Sequence, residues 1–90
     1  MVISGTIKVT AAGTRVQAAH KGNAVTAVFK PRSDNTGDVY LGGDDVSSTD
    51  GMTLTPGESI QLQLTSPVST SQFWADAASN DDQVDFIRRI

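Results

Sequence analysis

Ile60, Leu62 and Leu64 alternate with Gln61, Gln63 and Thr65. A period of two sets successive side chains on opposite faces of an extended chain, so this segment has one apolar and one polar face. Sliding it by one residue would bury two glutamines and expose three aliphatic side chains, so the register of Ser59 to Thr65 is firmly specified. The layer covering the apolar face must also be β, because no segment carries a sustained i, i+3, i+4 apolar pattern.

The rest of the chain supplies such strands. Ile3, Gly5, Ile7 and Val9 alternate with Ser4, Thr6, Lys8 and Thr10, which predicts a half-buried strand with Gly5 at a bulge or at the close approach of another backbone. Thr14 to Ala18, with Val16 its only large apolar residue, is a short edge strand. Ala24 to Lys30 does not alternate cleanly and is halted by Pro31, which predicts a central strand that is bulged or covered on both faces. Asp38 to Gly42 sets Val39 and Leu41 against Tyr40. Asp50-Gly51 predicts a type I′ hairpin pairing Met52–Leu54 with a short piece around Val46. Thr55-Pro56-Gly57-Glu58 predicts a type I or II turn. Ser66 to Ser71, with Pro67, is a loop. Phe73 and Ala75 then oppose Trp74 and Asp76 in a strand or one helical turn, and Val84 and Phe86 oppose Asp85 and Ile87 in the last strand. The fold class is therefore all-β, a single β-sandwich or jelly-roll-like domain of seven or eight short antiparallel strands spanning residues 1–90.

Ninety residues with 38% hydrophobic content build one core and no second. Ten acidic against seven basic residues give a net charge of −3, which offers no basic stripe for nucleic acid. There is no cysteine, so neither disulfides nor thiolate metal sites contribute, which suits synthesis in a reducing cytoplasm. The opening residues lack the basic and long apolar regions of a signal peptide. No apolar run approaches the roughly 20 residues that span a bilayer, and no membrane partner is expected.

Candidate chemistry is sparse. Serine-histidine catalysis would have to use His20, the only histidine, beside a turn and without a nucleophile elbow. Asp44, Asp45 and Asp50 are oxygen ligands that Ca²⁺ would accept, but their spacing departs from the EF-hand pattern, and a solvated acidic loop is the competing reading. Asp76, Asp81 and Asp82 have nothing that marks a glycosidase pair. Gly42-Gly43 beside Asp44 and Asp45 would repel a phosphate. The chain is read as a non-enzyme without a cofactor. Tyr40 and Trp74, the only residues of their types, fall on outward faces, as does Ile87. These three are the candidate interface residues, with Trp74 an anchor for a protein partner, a stacking platform for a sugar, or a cap on one end of the sandwich.

From Asn35 to Ile60 the chain resembles a family of small virion structural proteins of tailed bacteriophages. The pattern is N-T-G-x-V-Y-L-G-G, then V-S, then G-x-x-L-x-P-G-E-S-I, met here by Asn35, Thr36, Gly37, Val39, Tyr40, Leu41, Gly42 and Gly43, by Val46 and Ser47, and by Gly51, Leu54, Pro56, Gly57, Glu58, Ser59 and Ile60. Ala12–Gln17 and Val84–Phe86 extend the likeness. It implies a capsid decoration (cement) protein made in the host cytoplasm, bound to the major capsid protein on the outer head surface, commonly as a homotrimer, or else a neck or tail component. It carries over no catalytic residues. A carbohydrate-binding or adhesion module is the alternative from a different class.

Overall fold

The computed structural model describes residues 2–20 and 22–89, and for residues 64–66 the backbone alone. Its described strands are β1 (Val2–Val9), β2 (Val16–Gln17), β3 (Asn23–Pro31), β4 (Val39–Gly42), β5 (Met52–Leu54), β6 (Ile60–Ser69), β7 (Trp74–Ala77) and β8 (Asp82–Arg89). A 3₁₀ turn at Thr70–Gln72 leads into β7. The strands form two antiparallel sheets, a first with the order β1-β8-β3-β6 and a second with the order β2-β7-β4-β5. Every connection except β4–β5 passes from one sheet to the other, which is the eight-stranded jelly roll.

Alternation decides what each sheet buries. The first sheet turns Ile7, Val9, Ala27, Phe29, Val84 and Phe86 inward, and the second turns Val39, Leu41, Leu54, Ala75 and Ala77 toward them. Phe29 lies at the centre, its ring centroid 4.9 Å from Phe73 and 5.7 Å from Phe86. Burying an aromatic or large aliphatic side chain contributes about 1.5–3 kcal/mol, so this cluster supplies most of the driving force. Ile60 and Leu62 are half-buried and pack against it. The inward orientation expected of Leu64 lies outside the described residues.

β2 is short and at an edge, and β3 lies between β8 and β6, both as the sequence predicts. The irregularity expected in β3 is a register shift: Ala24 pairs with Val68, whereas Thr26 pairs with Gln63. One residue on β3 thus faces four on β6, and the expected loop from Ser66 is strand as far as Ser69. Pro67 is accommodated because β6 is an edge strand and this stretch is bulged out of the ladder.

Two turns differ in what they deliver. Thr55–Glu58 closes with Glu58 N–H donating to Thr55 O at 3.0 Å, and Gly57 has φ +82°, so the turn is type II. Asp50-Gly51 is not a type I′ turn. Only Gly51 has positive φ, and Asp50 and Ser47 exchange both backbone hydrogen bonds. Val46 is buried against Gly42 and Gly51, and this plug reshapes the loop, so Met52–Leu54 pairs with Val39–Leu41 rather than with the Val46 segment.

Gly5 faces Phe86 across the β1–β8 ladder, and a Cβ built there would stand within 2.4 Å of the Phe86 ring. The close approach is therefore by an aromatic side chain and not by backbone. Gly5→Ala is expected to push that ring into the Phe29 cluster and to destabilise the fold by about 1–3 kcal/mol. Urea denaturation should show this as a lower midpoint with unchanged slope.

Candidate functional site

The β3–β4 crossover and the start of β8 are joined by two side chains. Asn35 Nδ2 donates to Gln83 O at 2.8 Å while Asn35 Oδ1 accepts from Gln83 N–H at 3.0 Å. The buried Asp82 carboxylate accepts from Thr36 N–H and Gly37 N–H, both at 2.9 Å. Losing such a partner in a buried setting costs about 1–3 kcal/mol. Asp76 is buried too, although alternation turns it outward: the loop after β1 folds over it, with Gly13 N–H donating to its Oδ1 at 3.0 Å. Asp81 takes φ +66° in the turn before β8. Asp76 and Asp82 thus hold backbone amides with their carboxylates, while Asp81 contributes its own N–H to Val9 O at 2.8 Å.

Asp44, Asp45 and Asp50 are exposed on the β4–β5 loop. Among the described residues no three His, Cys, Asp or Glu side chains gather as metal ligands. The loop around Asp44, Asp45 and Asp50 is shaped by the burial of Val46 and by the closing of Ser47 on Asp50. His20 is exposed, with Nδ1 2.7 Å from Ser69 Oγ. That hydroxyl also caps the 3₁₀ turn by accepting from Ser71 N–H. The pair is a surface cap, which sequence reasoning missed because the two residues are far apart along the chain.

The three candidate interface residues divide between two faces. Ile87 lies on the outer face of the first sheet, paired with Ser4 on one side and Val28 on the other. Val2, Val28 and Ile87 are exposed there, at 63%, 37% and 52%, a patch that reasoning strand by strand had not assembled. Lys8, Lys30 and Arg89 share this face and are exposed, without ion pairs among the described residues. Arg32 Nε lies 3.0 Å from Asp85 Oδ2, and Thr6 Oγ1 donates to Asp85 Oδ1 at 2.8 Å. The Arg32 hydrogen bond, aided by that of Thr6 and opposed by partial burial, holds the Asp85 carboxyl below the usual carboxylate range.

Tyr40 and Trp74 belong to the second sheet. Tyr40 pairs with Asp76 and Gly42 with Trp74, so the two aromatics are diagonal neighbours on its outer face, each half-buried. Arg15 sits 5.8 Å from the Trp74 ring centroid. Where β4 ends and β7 begins, a cleft of about 310 Å³ is lined by Gln17, Gly43, Asp44, Ser71, Gln72 and Trp74. Beside it an apolar cleft of about 240 Å³ runs between the β5 and β6 edges, lined by Leu41, Met52, Leu62 and Phe73 and sharing Gly43 and Gln72.

No family model and no curated relative matches the sequence. Among solved structures the chain is similar to a de novo designed double-stranded β-helix determined by solution NMR, with a TM-score of 0.53 and 15% identity, covering 98% of this chain and 96% of that one. It is also similar to a protein of Bacillus endospore appendages, described as disulfide-linked pili, with a TM-score of 0.51 and 13% identity over 100% of this chain and 88% of that one. At these identities the likeness is one of fold.

Asp85→Asn tests the first sheet's polar network. A lowered folded-state pKa stabilises the protein above the unfolded-state value, and this contribution is lost as pH falls through the folded-state one. Asp85→Asn is therefore expected to be less stable than the parent at neutral pH, with the gap closing in acid and shrinking in high salt because the pair is exposed. Thermal melts across pH and ionic strength measure it.

Proposed function

We propose that this chain is a structural protein of a tailed-bacteriophage virion, a decoration protein that binds the outer surface of the head and stabilises it. One observation carries the reading: the residue pattern from Asn35 to Ile60, which resembles such proteins and whose members have architectural roles here. Asn35, Thr36 and Gly37 form the clamp onto β8, Val39 and Leu41 enter the core, and Gly42, Val46 and Gly51 pack together. Pro56, Gly57 and Glu58 make the type II turn. A pattern made of fold-defining residues leaves the binding contacts to outward positions.

The outward surface that suits docking is the face bearing Val2, Val28 and Ile87 with Lys8, Lys30 and Arg89 around them. Apolar centre and basic rim fit a partner surface that is apolar with an acidic border, and in this reading that partner is the capsid shell. Tyr40 and Trp74 point away from it, so a single flat contact takes Ile87 without them. Association through disulfides, as in the endospore pili, has no counterpart in a sequence without cysteine.

Purified protein mixed with undecorated heads of the phage that carries the gene is expected to give regular added density by cryo-microscopy. The double variant Val28→Asp and Ile87→Asp, altered only at exposed positions, should fold normally and lose that density. Failure of the parent to bind any head form would overturn the role, and undiminished binding by the variant would overturn the docking face. The homotrimer belongs to the same reading: free protein is expected to sediment at about three times the 9.5 kDa chain mass, and a strict monomer at high concentration would remove it.

A further inference from the structure

The Trp74 cleft has no part in the docking face, and its composition points to a different ligand. Its walls combine an indole, two primary amides, a hydroxyl and a carboxylate, an aromatic plane bordered by groups that both donate and accept hydrogen bonds. Sugars present this combination in reverse, a C–H face that stacks on an aromatic ring and a rim of hydroxyls. Gln17 is already oriented, its Nε2 donating to Ser71 O at 2.7 Å, which leaves its Oε1 as an acceptor. Asp44 and Gln72 are exposed and make no hydrogen bond to a described residue, so their polar atoms are available. Arg15 is exposed and lies over the indole, 5.8 Å from its centroid, a contact that a sugar stacking on that face would displace.

We propose that this cleft binds one pyranose unit of a neutral oligosaccharide, stacked on Trp74 and hydrogen-bonded by Gln17, Asp44 and Gln72, with an acetamido substituent seated in the apolar cleft alongside. Asp44 inside the cleft and Asp45 next to it disfavour an acidic sugar. The apolar cleft meets the polar one at Gly43 and Gln72, so a methyl group can enter the former while the amide that carries it stays within reach of Gln72. The site is independent of the capsid reading, since it lies away from the outer face of the first sheet that bears Val2, Val28 and Ile87.

Trp74 is the only tryptophan, so its fluorescence reports stacking directly. Titration with tri-N-acetylchitotriose is expected to change that emission saturably, with amide NMR shifts confined to the surroundings of Gln17, Gly43, Asp44 and Gln72. Maltotriose should bind more weakly. Gln72→Ala, at an exposed position, should weaken binding by on the order of 2- to 10-fold, and Trp74→Ala should abolish it by NMR. Should Trp74→Ala fail to fold, Gln72→Ala decides the matter. No saturable response to either sugar, shifts that map elsewhere, or unchanged affinity in Gln72→Ala would overturn the site. Equal affinity for the two sugars would overturn the acetamido assignment.

Discussion

Two side chains, Asn35 and Asp82, satisfy four backbone groups where two crossings between the sheets meet. In a jelly roll nearly every connection leaves one sheet for the other, and at each crossing backbone N–H and C=O groups lose their ladder partners. Asn35 pairs with both the N–H and the C=O of Gln83, as another strand would. Asp82 receives the next two amides of the same loop. β4 is thereby aimed into the second sheet opposite the place where β8 enters the first, and the alternation of β8 fixes which residues reach Phe29. The surfaces follow from the same placement: Ile87 faces out from β8, and Tyr40 faces out from β4.

Much of the fold was legible because it rests on local rules. Ile60 and Leu62 face the core for the reason their alternation with glutamine implies, and the lone Val16 marks β2 as a short edge. Pro56-Gly57 needed only the φ preferences of those two residues. Asp50-Gly51 failed as a hairpin signal because Val46, four residues upstream of Asp50, is buried and pulls the loop closed through Ser47. That burial is a tertiary event that overrides a two-residue preference. The stretch from Ser66 to Ser69 is strand despite Pro67 because β6 lies at an edge, and a place on an edge is set by topology.

The surface was less legible for a different reason. Alternation tells which residues of one strand share a face, but it does not say which sheet the strand joins. Tyr40, Trp74 and Ile87 were all correctly turned outward, yet they lie on two opposite faces. The patch of Val2, Val28 and Ile87 draws on three strands that are distant in sequence. Asp76 is outward by alternation and still buried, since the loop after β1 covers it. A jelly roll serves many functions on one frame, so surfaces of this kind, rather than the strand order, distinguish its uses.

The bulge in β6 bears on how such a protein behaves when crowded. A sheet edge is a row of unpaired backbone groups, and a long flat one recruits further strands and leads to aggregates. β2 and β5, at the edges of the second sheet, are two and three residues long, too short to recruit much. β6 has ten residues, and its ladder breaks where four of them face one on β3, with Pro67 lacking the N–H that a recruited strand would need. The ten-residue edge of β6 is thus divided into two shorter ones, while the other edge of this sheet, the eight residues of β1, stays continuous. Strand addition at β6 is thereby disfavoured, which leaves β1 as the edge where two copies at high concentration could join their sheets.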